Sequence, residues 1–212
     1  IGQWPWSRDV LASLTDQTQL AAITAFDIVF AEPDRTGSSQ LQKIYSNDEA
    51  LVEILSRTVD HDDVFAQSIA NHGTVVLGLA PNNKTENQNY LGKHGMVIQG
   101  DDPKLFVQPY IGMQNNLNIL ESESAGLGSM SIGNDDVIVR TLPSFEHING
   151  SLVPSLALEI VRVAIGASTY QVKSSNASSE QAFGENTGVN HVKLGSLIMP
   201  TNADGSFWLY PT

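Results

Sequence analysis

Few residues in this chain have the type and spacing that chemistry needs. Ser129 sits beside glycine in GLGSM, residues 126–130. The G-x-S-x-G elbow that would expose a serine nucleophile is absent, so Ser129 reads as part of a turn into a strand. The histidines His61, His72, His94, His147 and His191 form neither HxH nor HExxH. They fall at expected element ends and loops, where solvation is the simpler reading. Asp62-Asp63, Asp101-Asp102 and Asp135-Asp136 lack the calcium-loop spacing and read as solvated turn and cap residues. No phosphate-binding glycine motif is present. No catalytic residue, metal site or cofactor is expected.

Five charged positions stand apart from this bland background. Asp27 interrupts AFDIVF, where strand alternation places Phe26, Ile28 and Phe30 on one face and Asp27 on the other. If that strand is central, Asp27 is partly buried and needs a partner. Arg8, on the helix feeding the strand, is the expected one. Glu32 and Asp34 follow the strand's carboxyl end, where α/β sheets tend to bind ligands. Arg140, within VIVRTLPSF, could meet an anionic ligand or close an internal salt bridge. Arg8, Asp27, Glu32, Asp34 and Arg140 are therefore the candidate ligand-contact or polar-network residues.

The elements that must position them are legible from periodicity. Apolar spacing predicts a helix over about 6–18, with Pro5 in its first turn. Residues 22–30 read as a largely buried strand, and 31–39 as a loop. Helical stretches follow at about 41–57 and 62–71, the second stopped by Gly73. Residues 74–79 read as a second core strand, 81–95 as a long polar loop, 96–99 as a short edge strand and 117–124 as a short helix. A hairpin is expected from 129–132 and 137–145 around the turn GNDD, and another turn at 147–150. The clearest helix covers 152–166, with Pro154 in its first turn. Residues 174–190 read as a mobile loop, and the end as two strands joined by a turn at 202–206. Strands alternating with helices, then hairpins around one more helix, predict an α/β fold. We expect a single domain over 1–212, a central mixed β-sheet flanked by helices, with hairpins in the C-terminal half.

Composition narrows the partners. Hydrophobic residues make up 41% and charged residues 16% of 212, as in a globular chain. Eleven Lys and Arg face 23 Asp and Glu, a net charge of −12 with no basic run. Such a surface repels phosphate backbones, so no nucleic acid is expected as a partner. The absence of cysteine excludes disulfides and thiolate ligands. No apolar run reaches the ~20 residues that span a bilayer. The chain begins at Ile1 without a signal peptide, and we expect it to be a piece of a longer protein.

Four ordered segments carry a family resemblance: GQWPWSRDVLASL (2–14), AFDIVFAEPD (25–34), GLGSMSIGNDDVIVRTLPSF (126–145) with VPSLALEIVR (153–162), and LIMPTNADGSFWLYP (197–211). The chain resembles the CHASE domain of the second type, CHASE2, over nearly its whole length. The matching positions are Trp4, Pro5, Trp6, Arg8, Asp27, Glu32, Pro33, Asp34, Arg140, Ser155 and Glu159. The resemblance implies an extracytoplasmic sensor in a bacterial membrane receptor, tethered through flanking helices. It also implies a cytoplasmic output module such as a histidine kinase, a nucleotide cyclase or a cyclic-di-GMP enzyme. It supplies no catalytic or metal residues. Family members carry a strand upstream of WPW that this chain starts too late to include, and the loops 81–95 and 174–190 depart from the family.

The leading expectation is thus a non-enzymatic periplasmic sensor domain that binds an unknown small molecule or a periplasmic protein, in a receptor that works as a homodimer. The alternatives are a hydrolase whose site is assembled from distant residues, and a docking module without a small ligand. A concave polar pocket favours the sensor. An exposed apolar patch favours docking.

Overall fold

The computed structural model describes residues 4–84, 89–131, 139–177 and 188–209. The N-terminal half runs α1 (Arg8–Gln17), β1 (Thr24–Phe26), α2 (Ser38–Ile44), α3 (Glu49–Ser56), α4 (His61–His72) and β2 (Val75–Asn82). Then come β3 (Gly95–Gln99), β4 (Pro109–Tyr110), β5 (Gly112–Gln114), α5 (Asn118–Glu123) and β6 (Gly126–Ser129). The chain closes with β7 (Thr141–Pro143), β8 (Phe145–Ile148), β9 (Ser151–Pro154), α6 (Leu156–Ala164), β10 (Thr169–Ser174), β11 (Val189–Leu194), β12 (Leu197–Pro200) and β13 (Ser206–Trp208).

The fold is α/β with mixed sheets. In the first sheet the buried strand β2 pairs in parallel with β1 and β6, and its end pairs antiparallel with β5. Its near-continuous apolar run, VVLGL, is what a strand covered on both faces requires. The second sheet has the order β12-β11-β10-β3, with β3 on an edge. Smaller sheets pair β13 with β7, and β4-β8-β9.

Two apolar cores correspond to the two larger sheets. In one, α1 and α4 pack on the first sheet, burying Leu11, Phe65 and Ile69 with Phe26, Phe30 and Leu77. Phe26, Phe30 and Phe65 meet edge to face at centroid distances of 5.3–5.6 Å. The other core gathers Phe145, Tyr170, Val172, Val192 and Leu194. α6 lies on β6, where Gly128 leaves no room for a side chain: a Cβ there would come 2.5 Å from Leu156 Cα.

Several expected boundaries shift. Pro5 lies before the N-cap Ser7, outside the helix. The expected strand at 22–30 pairs only over Thr24–Phe26, because the Phe30 amide donates instead to Asn116 Oδ1 and its carbonyl accepts from Leu117. The long helix expected at 41–57 divides into α2 and α3, with the Asp48 side chain capping the second by accepting from the Leu51 amide. Residues 152–154 are strand, not helix, and pair with β8; Ser155 then caps α6 by accepting from the Leu158 amide. Ser129 ends a strand paired with β2, and β7 pairs with β13, so the two arms of the expected hairpin have other partners. Its turn, GNDD, lies outside the described residues, as do Asp135-Asp136 and most of the loop expected at 174–190. The C-terminal segment forms three strands, because Gly195 (φ +56°) turns β11 back into β12. Gly73, at φ +75°, ends α4 in the left-handed region as its position predicted.

Candidate functional site

The start of α1, the loop after β1 and the start of α4 converge on Arg8. Ser7 opens the helix in extended conformation, which leaves the first amides of α1 pointing outward. The Arg8 amide donates to Asp34 Oδ2 at 2.5 Å. The Arg8 side chain turns back over the Phe30 ring, 4.5 Å from its centroid, a cation–π contact rooted in the core. Its Nη2 donates to the Glu32 carbonyl at 3.2 Å, and its Nε lies 3.4 Å from Asp62 Oδ1. Asp62 is held from the other side by the Asp34 amide, which donates to Oδ2 at 2.9 Å. Asp34 Oδ1 accepts from the Thr36 amide and hydroxyl, each at 2.9 Å, and its Oδ2 lies 3.3 Å from His61 Nδ1. Asp60, the N-cap of α4, accepts from the Asp62 and Ser39 amides and so ties α2 to the same corner.

Electrostatics separates the two buried acids. Burial alone would push Asp34 up, but the hydrogen bonds from Arg8 and Thr36 and the charge of His61 outweigh it, holding the carboxyl below its ordinary range. Burial dominates at Asp62 and pushes it up against the Asp34 amide and the Arg8 charge, with Asp60 and Asp34 reinforcing the rise. Burial likewise draws Arg8 down, with Asp62 and Asp34 opposing. Among the described residues neither Arg8 Nε nor Asp62 Oδ1 completes a hydrogen bond with good geometry, so this is a loose, solvent-shielded ion pair.

A cavity of about 320 Å³ opens beside this network. Pro5, Trp6 and Arg8 line it together with Val29 and residues 31–35. Six of its nine lining residues (Pro5, Trp6, Arg8, Glu32, Pro33 and Asp34) are among the positions that carry the sequence resemblance. Residues bearing an indole, two proline rings, two guanidinium groups and two carboxylates therefore line one concave space, the mixture of apolar and polar groups that suits a small ligand.

The structure does not bring every candidate here. Asp27 is exposed and makes no side-chain hydrogen bond among the described residues, so the expected Arg8–Asp27 pair is absent; Asp62 takes that place. The strand ends at Phe26, which turns Asp27 outward and removes its need for a partner. Arg140 is also exposed and lies apart, its carbonyl accepting from the Leu209 amide beside β7 and β13. Trp4 does not line the cavity but packs edge to face on Trp6, which does, with centroids 5.8 Å apart. Ser155 and Glu159 are structural. Glu159 is fully buried, where it accepts from Arg162 at 2.7 and 2.9 Å and from the Tyr170 hydroxyl at 2.6 Å. Arg162 also donates to the Ala125 and Ala167 carbonyls, so this network ties the approach to β6 to α6 and β10.

Two groups were not visible as site features from sequence. Asp62 read as a solvated cap residue, yet it is buried against Arg8; nothing local to residue 62 signals a partner 54 positions upstream. His94, read as solvated, is half-buried: its ring meets Tyr170 edge to face at 4.7 Å, and its Nε2 lies 3.0 Å from the Tyr90 hydroxyl. Burial lowers the His94 pKa despite the charge of Glu159. Ser129 donates to Glu146 Oε2, and both residues are buried. No histidine joins them among the described residues, so the pair lacks the general base that a serine nucleophile needs. Burial pushes the Glu146 carboxyl up, with Ser129 and Ser131 partly opposing, and its Oε1 has no hydrogen-bond partner among the described residues.

The α/β fold thus carries a small cavity of mixed polar and aromatic lining, and no grouped metal-ligand set occurs among the described residues. Comparison with protein families matches the CHASE2 domain over residues 1–211, and the chain belongs to that family. CHASE2 is a family of extracytoplasmic sensory domains of receptors. No curated protein and no solved structure matches the chain. No helix among the described residues is long and apolar enough to cross a membrane.

Proposed function

We propose that this chain is the periplasmic sensory domain of a bacterial inner-membrane receptor, and that it reads a small molecule in the cavity between Trp6, Arg8 and Pro33. The observation that carries this reading is the convergence of the resemblance-bearing residues 5, 6, 8, 32, 33 and 34 on one concave surface. The same side chain, Arg8, touches the cavity, the buried Asp62 on α4 and the aromatic core at Phe30. A ligand that bound Arg8 better in one arrangement of this corner than in another would shift the balance between them. Flanking membrane helices would carry that shift to a cytoplasmic kinase, cyclase or cyclic-di-GMP output module, with two receptor chains working as a symmetric pair.

A thermal-shift screen of metabolites, ions and pH tests the reading, with Trp6→Ala as the control. A compound that raises the melting temperature of the wild type and not of the variant supports the site. A second reading, a protein-docking module, is favoured by the α2–α3 arm, where α3 buries no residue and Ile44 and Ile54 are 65% and 63% exposed. If no small molecule or ion shifts the melting, that reading gains. Phosphatase fusions to the parent receptor, active only outside the cytoplasm, test the location.

A further inference from the structure

The charges in the cavity are not equivalent, and the difference points to a class of ligand. Two arginines and two acids line it, so their formal charges cancel. Asp34 is fully engaged by Arg8, Thr36 and His61. Arg8 is shared between the Glu32 carbonyl and Asp62. Glu32 and Arg35, on either side of Pro33-Asp34, are solvent-exposed, and their side chains have no hydrogen bond or ion pair among the described residues. What the cavity offers a ligand is therefore one uncommitted carboxylate, one uncommitted guanidinium, and an apolar wall of Trp6, Pro5, Pro33 and Val29.

We propose that the cavity binds a zwitterionic amino acid with an apolar side chain; this rests on the reading of the cavity as the sensory site. A ligand ammonium meets Glu32, its carboxylate meets Arg35 in the forked geometry that guanidinium favours, and its side chain lies against the Trp6 indole and the proline rings. A dianion would oppose Glu32, and a dication would oppose Arg35, so each forfeits one contact and meets one repulsion. A volume of about 320 Å³ lies at the small end of ligand sites, which suits a single amino acid.

Isothermal titration of the 212-residue chain with L-phenylalanine and L-leucine tests the proposal, beside the two half-molecules phenethylamine and 3-phenylpropionate. Both amino acids are expected to bind, and each half-molecule to bind about tenfold more weakly or worse, since each lacks one charge-assisted contact. Glu32→Gln and Arg35→Gln, at exposed positions, are expected to melt like the wild type and to lose about tenfold in amino-acid affinity. Half-molecules that bind as tightly as L-phenylalanine, variants that bind it normally, or no heat from either amino acid at millimolar concentration would each overturn the zwitterion. If a sugar, dicarboxylate or cation binds instead and Trp6→Ala abolishes it, the sensory cavity stands and only the ligand class falls. If the amino acids bind Trp6→Ala as well as the wild type, the cavity itself is wrong.

Discussion

Replacing Arg162 with methionine is the sharpest test of how this fold holds together. The Arg162 side chain is 7% exposed and that of Glu159 is fully buried. The guanidinium donates to both Glu159 oxygens, at 2.9 and 2.7 Å, and to the Ala125 and Ala167 carbonyls, each at 2.9 Å. Burial would lower the Arg162 pKa, but the bond and charge of Glu159 raise it overall, and burial with the Glu159 charge drives the Tyr170 phenol far above its usual range. Methionine fills similar volume but leaves Glu159 charged, buried and without a cation, at a cost of about 3–5 kcal/mol. For a domain of this size each kcal/mol lowers the melting temperature by about 2–4 °C, so calorimetry should record a fall of roughly 6–20 °C. Adding Glu159→Gln removes the stranded charge while keeping an acceptor for the Tyr170 hydroxyl. The double variant should therefore melt above Arg162→Met alone. A single variant within about 2 °C of wild type, or a double variant whose loss is the sum of the two single losses, would refute the account.

Four further outcomes follow from the described contacts. Arg8→Ala should cost about 2–3 kcal/mol by chemical denaturation, because it strands Asp62 and uncovers Phe30; Arg8→Lys should recover only part, since an ammonium cannot span Asp62 and the Glu32 carbonyl as a fork does. Asp34 has a lowered pKa, so it contributes stability above its ordinary 3.8 and loses it as the pH falls through the folded value; melting curves of Asp34→Asn and wild type should differ at neutral pH and converge in acid. Glu146 has a raised pKa, so its contribution is complete below its ordinary 4.5 and is lost as the pH rises through the folded value. Glu146→Gln should accordingly gain on the wild type as pH rises, read as the difference in melting temperature across a pH series. Gly128→Ala forces a Cβ to 2.5 Å from Leu156 Cα and should cost about 1–3 kcal/mol in the same denaturation assay.

The sequence was most readable where local chemistry decides. Gly73 ends α4, Phe26 and Phe30 point into the core, and the apolar run of β2 is buried as its composition requires. It was least readable where one distant group outcompetes a local pattern. Alternation put Asp27 on the face opposite Phe26 and Phe30, buried only if the strand were central and continuous, but Asn116 takes the Phe30 amide and the strand stops short. Asp62 looked like any acid at a helix start until folding laid Arg8 beside it. The three-residue spacing of Glu159 and Arg162 sits in plain view on one helix, yet only the arrival of Tyr170, Ala125 and Ala167 explains why that pair is buried. Glu32 and Asp34, picked for lying beyond a strand's carboxyl end, do face the cavity, whereas Arg140 does not.

The strand order also governs when this protein can fold. β3, beginning at Gly95, pairs with β10, where Gly95 aligns with Thr169, and β10 in turn pairs with β11. β7 pairs with β13, near the end of the described chain. The second sheet and the β7–β13 ribbon therefore cannot close until residues 169–208 have been synthesised, and contacts so distant along the chain make for slow folding. Until then β3, with Val97 and Ile98 on it, lacks its β10 neighbour, an open strand edge of the kind that invites mispairing in a partly folded chain.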